Sequence, residues 1–342
     1  MSRNTRLAIF AFTLALAGVT LFAAPAGLTV KLATIAPRNS LWYGALTDMG
    51  GTWTKATEGR VTLTVFASGT LGDEPAVVKM MRPDVDSLNA AFLTAPGLST
   101  IDDGSNVFGI PFFFRSNEEA HAVRKAMTPV IAKRLEAKGY HLLNWGDGGW
   151  VQVFSKNQIR SLDDLRKTKL FTSQGDDRMA QWYTAGGFHP VPTKSTEIAS
   201  NMATGLLDAT PIPAYPASLI QLYRNANYML DVSVAPLYGA IVVADRAWTR
   251  ISEADRAKML DAAVAMERQL DLSVPGQDEK ALTDMKLRNP KFSVTKLDEN
   301  ALAAFRAEAE KLAVTMRGNM VPPEIYEQAL RERDAFRKSK GK

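Results

Sequence analysis

Residues 28–66 read LTVKLATIAPRNSLWYGALTDMGGTWTKATEGRVTLTVF, and this stretch decides the fold class. Leu28–Ile35 alternates apolar and polar positions and is rich in β-forming residues, the period-2 pattern of a strand. Pro37, Asn39 and Ser40 then open a helix predicted to run to about Thr57, with Leu41, Ala45, Leu46, Met49 and Trp53 on one face. Glu58-Gly59 stops it, and Val61–Phe66 returns to the strand pattern. A strand, a helix and a strand within about 40 residues make a βαβ unit, whose crossover leaves the two strands parallel.

N-terminal to this unit stand Arg3 and Arg6, the apolar run Leu7–Ala23 and the small-residue Ala24-Pro25-Ala26. That is the layout of a secretory signal peptide occupying residues 1–26 and cleaved after about Ala26, so the mature protein is expected in the periplasm. The apolar run is slightly longer than typical, and the alternative is an uncleaved anchor helix. There is no cysteine, which excludes disulfides, thiolate metal sites and lipid attachment through Cys. No later segment is long and apolar enough to span a bilayer, so no direct membrane insertion is expected once the signal is removed.

The 342 residues favour two domains at roughly 100–200 residues each. Apolar residues make up 46% and charged residues 23%, the balance of an ordinary globular protein. The net charge of +5 falls to about +3 once Arg3 and Arg6 are set aside, and the remaining cations are interleaved with acids except in the tail Arg337–Lys342. Nucleic acid is not an expected partner.

Further along, Ala67–Asp73 reads as a loop, Glu74 to about Arg82 as a short helix, and Asp86–Leu93 as a third strand ending at Thr94-Ala95-Pro96-Gly97. The glycines of the loop lack a following Lys-Ser/Thr, so phosphate binding is not indicated. Gly109–Arg115, GIPFFFR, leads into a helix over Glu118–Ala137, and its aromatic run is read mainly as core. Tyr140–Ser155 is predicted as one long, interrupted strand crossing between domains and serving as a hinge. In Ser161–Asp177, SLDDLRKTKLFTSQGDD, Ser161, Asp163 and Asp164 start a short helix, Lys169–Thr172 is a buried strand, and the polar loop Ser173–Asp177 follows. A helix from about Arg178 to Ala185, another over Thr196–Thr204, and a turn and strand over Gly205–Thr210 come next. Pro211, Pro213 and Pro216 are expected to break the chain before helical Leu219–Asn225. Pro236–Val243 is a returning strand, and Ser252–Leu272, Asp298–Met316 and Pro322–Arg337 are long amphipathic helices.

No enzyme chemistry is indicated. His121, His141 and His189 are scattered without metal-ligand spacing, no nucleophile–base motif appears, and the acid pairs Asp102-Asp103, Asp163-Asp164 and Asp176-Asp177 do not suit paired-carboxylate catalysis. No metal, cofactor or catalytic residue is expected.

Taken together, the export signal and the blocks ATIAP, TEGRVTLTVFASGTLGDEPAVVKMMR, GIPFFFRSNEEA, RSLDDLRKTKLF, GLLDA and YGAIVVADRAWTRISEADR resemble the DctP-type solute-binding proteins of tripartite ATP-independent periplasmic (TRAP) transporters. The likeness runs over about residues 28–320. It implies an α/β, two-lobed periplasmic binding protein-like fold of type II, with hinge strands between lobes and long C-terminal helices. Lobe I is expected over 27–150 plus about 236–275, and lobe II over 151–235 plus about 276–342. It further implies a small-molecule ligand enclosed between the lobes and delivery to membrane permease subunits.

Acid-binding members of that family carry a G-x-K-I-R strand after the Leu-Asp-Asp-Leu helix, and its Arg grips the substrate carboxylate. Here Lys169-Leu170-Phe171 places Phe where the Arg would be, and Ile212 lies where an Asn is commonly met. A buried carboxylate costs several kcal/mol to desolvate and needs such a partner, whereas Phe offers roughly 150–250 Å² of apolar surface. The expected ligand is therefore neutral, or largely apolar or aromatic at its Phe171 end. Trp42, Phe92, Thr94, Trp145, Trp150, Phe171, Gln174, Ile212 and Tyr238 are the candidate lining residues. The alternatives are an organic acid with a cation relocated to Arg38, Arg178 or Lys194, and, from other classes, an exported enzyme or a tethered sensor on the same scaffold.

Overall fold

The computed structural model describes residues 27–85 and 87–341; the expected signal peptide, residues 1–26, lies outside the described residues. The strands are β1 (Leu28–Thr34), β2 (Val61–Phe66), β3 (Ala90–Leu93), β4 (Tyr140–Ser155), β5 (Lys169–Ser173), β6 (His189–Thr193), β7 (Ala209–Pro213), β8 (Tyr228–Leu230), β9 (Pro236–Ala244) and β10 (Ser293–Thr295). The first seven helices are α1 (Leu41–Ala56), α2 (Glu74–Met80), α3 (Ala95–Ile101), α4 (Asn117–Glu136), α5 (Leu162–Arg166), α6 (Asp177–Ala185) and α7 (Ile198–Thr204). The rest are α8 (Ala214–Leu219), α9 (Asp245–Trp248), α10 (Glu253–Ser273), α11 (Pro275–Arg288), α12 (Glu299–Val314) and α13 (Pro323–Ser339).

The strands run β2-β1-β3-β9-β4-β7-β5-β6, with β8 beside β4 and β10 beside β8. β1 is parallel to β2 and to β3, as the opening βαβ unit requires. The centre of the arrangement is β4. Its first part, Tyr140–Trp150, pairs antiparallel with β9, and its last part, Val151–Ser155, pairs antiparallel with β7 and β8. One continuous strand therefore belongs to two sheets and joins two lobes, each with its own packed faces.

Helix starts follow local capping chemistry. Ser40, Ser116, Ser161, Asp176, Ser252 and Asp298 each accept a backbone N–H of the first turn, and Ser161 with Asp164 forms a full capping box. The backbone N–H of Arg160 comes first among the groups that hold the Asp164 carboxyl below the usual range, outweighing the opposing effect of burial.

On one face of the first sheet α1 and α10 cover Val30, Leu32, Phe92, Ile241 and Val243, and the Trp53 Nε1–H donates to the Met259 carbonyl at 3.1 Å. On the other face Phe108, Val123, Met127, Trp145, Tyr238 and Val242 are buried together. Gly146 and Gly239 pair directly across β4 and β9. Built Cβ atoms there would come within 2.6 and 2.7 Å of the Phe92 ring, so the two missing side chains make the trough in which that ring lies.

Several elements differ from the sequence expectation. The third strand is only Ala90–Leu93, and the segment after it is the helix α3 rather than a strand-end loop. Pro211 and Pro213 do not break the chain: they lie within β7, and helix α8 begins at Ala214. The expected helix Leu219–Asn225 is instead the end of α8 and a single 3-10 turn over Leu222–Arg224. α11, β6, β8 and β10 were not expected.

Candidate functional site

The second sheet presents a face that leads to the junction between the lobes. Pairing of Gln152 with Ile212 and of Phe154 with Thr210 puts these four side chains on one side. Leu170 pairs with Ala209 on the opposite side, where both join Phe305 and Val153, so Phe171 faces with Ile212. Phe171 in turn pairs with Val191. Phe171, Val191 and Ile212 are half-buried and pack against the same apolar cluster that contains Trp42, Phe154 and Tyr215. A half-buried apolar floor spanning β5, β6 and β7 is thus built by strand register alone.

Trp42 and Tyr215 close one side of this floor. Their rings meet with centroids 5.1 Å apart, the Trp42 Nε1–H donates to the Asp147 carbonyl at 2.7 Å, and the Leu41 N–H donates to the Tyr215 hydroxyl at 3.0 Å. Trp42 starts α1 of the first lobe and Tyr215 starts α8 of the second, so the pair bridges the lobes.

At the strand ends a carboxylate does the same. Asp73 Oδ2 accepts from the Ser173 hydroxyl at 3.0 Å and from the Ser195 N–H and hydroxyl at 3.2 Å each, while Asp73 Oδ1 is buried without a partner. Beside it Gly69, with φ +63°, leaves room for Thr196, and Gly175, with φ +89°, approaches Pro75. The lobes touch here across the cleft.

Behind Asp73, Glu74 is buried and accepts from the Thr94 N–H at 2.9 Å, the Thr94 hydroxyl at 2.8 Å and the Gly97 N–H at 3.1 Å. Burial pushes its carboxyl up to about 7 despite these bonds.

The strand β4 bends where it changes sheets. Its register with β9 shifts between Asp147 and Trp150, and Gly149 takes φ +90°. Two carboxylates hold this bulge: Asp147 Oδ1 accepts from the Gly149 N–H at 2.7 Å, and Asp278 of α11 accepts from the Tyr215 N–H at 2.7 Å and from the Trp150 N–H. Burial pushes Asp278 up to about 6.

A polar network lies at the foot of the first lobe. Arg124 donates to Asp271 at 2.6 Å and to Glu267 at 3.0 Å, with its guanidinium 4.7 Å from the Tyr238 ring centroid. His121 is 3.1 Å from Asp147 Oδ2 and 3.9 Å from Asp271. The ligand atoms of His121, Asp147 and Asp271 lie within 4.8 Å of one another. Asp271 is also bonded by Arg124, and Asp147 Oδ1 by the Gly149 N–H, so the trio belongs to a hydrogen-bonded network that ties α4, β4 and α10 together. Burial raises the Tyr238 hydroxyl above its ordinary range and keeps it neutral.

The nine candidate residues therefore separate. Phe171 and Ile212 share the floor, and Trp42 stands at its side. Trp150 is half-buried at the bulge, its Nε1–H on Asn117 Oδ1. Thr94 is taken up by Glu74. Gln174 is exposed, its N–H on the Thr193 carbonyl at 2.9 Å. Phe92 fills the glycine trough. Trp145 donates to Thr128 Oγ1 at 3.0 Å within the core, and Tyr238 lies against Arg124 and Phe108. Gln152, Tyr215, Asp73, Glu74 and Asp278 were not anticipated. The one sequence signal for Gln152 is a long polar residue inside the apolar run WVQVF.

The three cations proposed as relocated partners are each engaged. Arg38 donates to the Tyr43 hydroxyl at 3.0 Å and is exposed, Arg178 pairs with Asp103 and the Asn319 carbonyl, and Lys194 pairs with Glu197 at 3.2 Å.

Residues 32–317 match the model of the bacterial extracellular solute-binding proteins, family 7 (DctP). Similar curated proteins include a solute-binding protein of Chromohalobacter salexigens, 25% identical over 69% of this chain and 73% of the relative. The ectoine-binding periplasmic protein TeaA of Halomonas elongata is 22% identical over 73% of this chain and 74% of that protein. Among solved structures, a TRAP periplasmic solute-binding protein of Xanthobacter autotrophicus Py2 with bound β-D-galacturonate superposes with a TM-score of 0.81 at 18% identity, over 89% of this chain and 99% of that one. DctP7 of Bordetella pertussis, an extracytoplasmic solute receptor binding pyroglutamic acid, gives 0.79 at 18% identity over 90% and 100%.

Proposed function

The chain belongs to the bacterial extracellular solute-binding proteins of family 7, and from that membership we propose that it is a TRAP transporter receptor for a neutral, largely apolar or aromatic small molecule. The family is one of solute-binding receptors and not of enzymes, and its members work outside the cytoplasm with membrane permease components. Among the described residues no helix is long and apolar enough to cross a membrane.

The observation that carries the ligand proposal is the apolar floor of Phe171, Val191 and Ile212. No charged side chain projects from these positions, where a carboxylate ligand would need one. The lining we assign is Phe171, Ile212 and Trp42, with Trp150 at the hinge end. Phe92, Trp145 and Tyr238 serve the first lobe's interior, and Thr94 orients Glu74. A half-buried Phe against an aromatic or aliphatic ligand supplies contact area and a stacking face. Closure over the ligand stabilises the bound state through contacts made only when the lobes meet.

A second reading, an organic acid, is favoured by the acids that the fold neighbours hold. It requires Arg38, Arg178 or Lys194 to leave its present partner and turn into the cleft. Native mass spectrometry of the protein purified from its own periplasm separates the two. A neutral apolar compound, with affinity lowered about tenfold or more in Phe171→Ala, is the expected result. A small dicarboxylate bound with sub-micromolar affinity, or binding unchanged in Phe171→Ala, overturns the proposal.

A further inference from the structure

Gln152 is out of keeping with its surroundings. It is 8% exposed, it lies on the sheet face of Phe171, Ile212 and Phe154, and its Oε1 is buried without a hydrogen-bond partner. Thr210, paired with Phe154 on the same face and fully buried, also has a hydroxyl without a partner. Buried polar groups are nearly always paired, because water is lost and nothing replaces it. Thr210 is closed off beside Phe154 inside the lobe, whereas Gln152 sits beside half-buried Ile212 at the junction end of the face, where the missing partner can come from outside the chain.

We propose that Gln152 is a specificity-determining residue of the binding site, and that the ligand carries a neutral hydrogen-bonding group, of hydroxyl type, on an otherwise apolar body. This rests on the apolar-ligand reading above and sharpens it. A carboxamide accepts through one end and donates through the other, so a hydroxyl, which does both, satisfies it in either orientation. A carboxylate would meet the carboxamide without the cation it needs, and a pure hydrocarbon would leave it unpaired. A site built to hydrogen-bond a hydroxyl discriminates against the analogue lacking it far more strongly than an apolar pocket discriminates by size. The same residue explains how an apolar cleft selects one compound from a pool of greasy ones.

The test uses the full mature protein and three probes of one shape: 2-naphthol, 2-methoxynaphthalene and naphthalene, titrated against tryptophan fluorescence. The wild type is expected to bind 2-naphthol about tenfold or more tighter than naphthalene, with the ether between them. In Gln152→Leu that preference is expected to fall to within about twofold while naphthalene binding is retained or strengthened. The ligand-free variant is also expected to melt at the same temperature or higher, because an unpaired carboxamide has been replaced by a side chain suited to its surroundings. Equal binding of 2-naphthol and naphthalene by the wild type, or an unchanged preference in Gln152→Leu, overturns the proposal and leaves the apolar reading standing. A clear drop in the melting temperature of ligand-free Gln152→Leu also overturns it, since the carboxamide is then serving the fold. Binding of none of the three probes overturns the apolar reading itself, and this inference with it.

Discussion

Replacing Asp73 by Ala should open the protein. Asp73 Oδ2 accepts from two hydroxyls and one N–H of Ser173 and Ser195 on the opposite lobe, at 3.0 to 3.2 Å. Hydrogen bonds to a charged group are worth about 1.5–3 kcal/mol each. The two contacts from Ser195 are long and share one acceptor atom, so the set is worth about 4 kcal/mol as a whole. Against it stands the loss of water from Oδ1, which is buried with no partner, at about 2 kcal/mol. The attraction wins by about 2 kcal/mol, or a factor of roughly 30 in the closed-to-open ratio. Ala removes both terms, and Asn, which keeps one acceptor and no charge, should fall between. The chain has no cysteine, so spin labels on Asp48→Cys and Gln181→Cys, exposed positions on opposite lobes, report a single distance. The wild type should show a short-distance population that shrinks about tenfold or more in Asp73→Ala, with ligand affinity falling in proportion where the closed form is the minor one. An Asp73→Ala distance distribution superimposable on wild type, or a wild type lacking the short distance, refutes the reasoning.

Two further expectations concern stability. Glu74 holds its proton up to about pH 7, against 4.5 for an ordinary glutamate, because it is buried. Between those values the native state retains a proton that the unfolded chain has released, so stability falls as pH rises through this window, by up to about 3 kcal/mol at 1.36 kcal/mol per unit. Asp278, raised from 3.8 to about 6, adds a fall of the same sign over the lower part of the range. Urea unfolding at pH 5 and pH 8 measures the sum, and identical slopes for wild type and Glu74→Gln would show that Glu74 is not the source. Gly239→Ala places a Cβ 2.7 Å from the Phe92 ring and should cost about 1–3 kcal/mol by overpacking. Adding Phe92→Ala should relieve the clash, so that the double variant loses less than the sum of the singles in thermal melting; strict additivity would place the ring elsewhere.

The parts of the fold that were legible in the sequence are those written in local chemistry. β1, α1 and β2 follow from alternation, from the Ser40 cap and from Gly59, and the long strand Tyr140–Ser155 was readable because its apolar pattern resumes after the glycines. What misled was proline. Pro211 and Pro213 read as breakers, yet they lie within β7, and Pro190 and Pro192 lie in β6, the outer strand of its sheet, where a missing N–H is tolerated. Pro275 stands at the first turn of α11, where its N–H would have had no partner anyway. Phe171 and Ile212 were picked out as candidate lining residues through a family resemblance, and strand periodicity predicts the face they share. Asp73, Gln152 and Asp278 were not, because each is defined by what surrounds it in space: a serine pair a hundred residues on, an apolar floor, a bulge in another element. Phe92 illustrates the converse. Its place is fixed by the absence of two side chains on strands it does not neighbour in sequence.

The shared strand also bears on the order in which the protein folds. β3 has no partner on its far side until β9 arrives, since Ala90 must wait for Val243, and β4 needs both β9 and β7. A chain made from its N-terminus therefore cannot complete its first lobe until β9, beginning at Pro236, has been made. Contacts of such long sequence separation form slowly. The topology obliges the two lobes to finish folding together rather than one after the other.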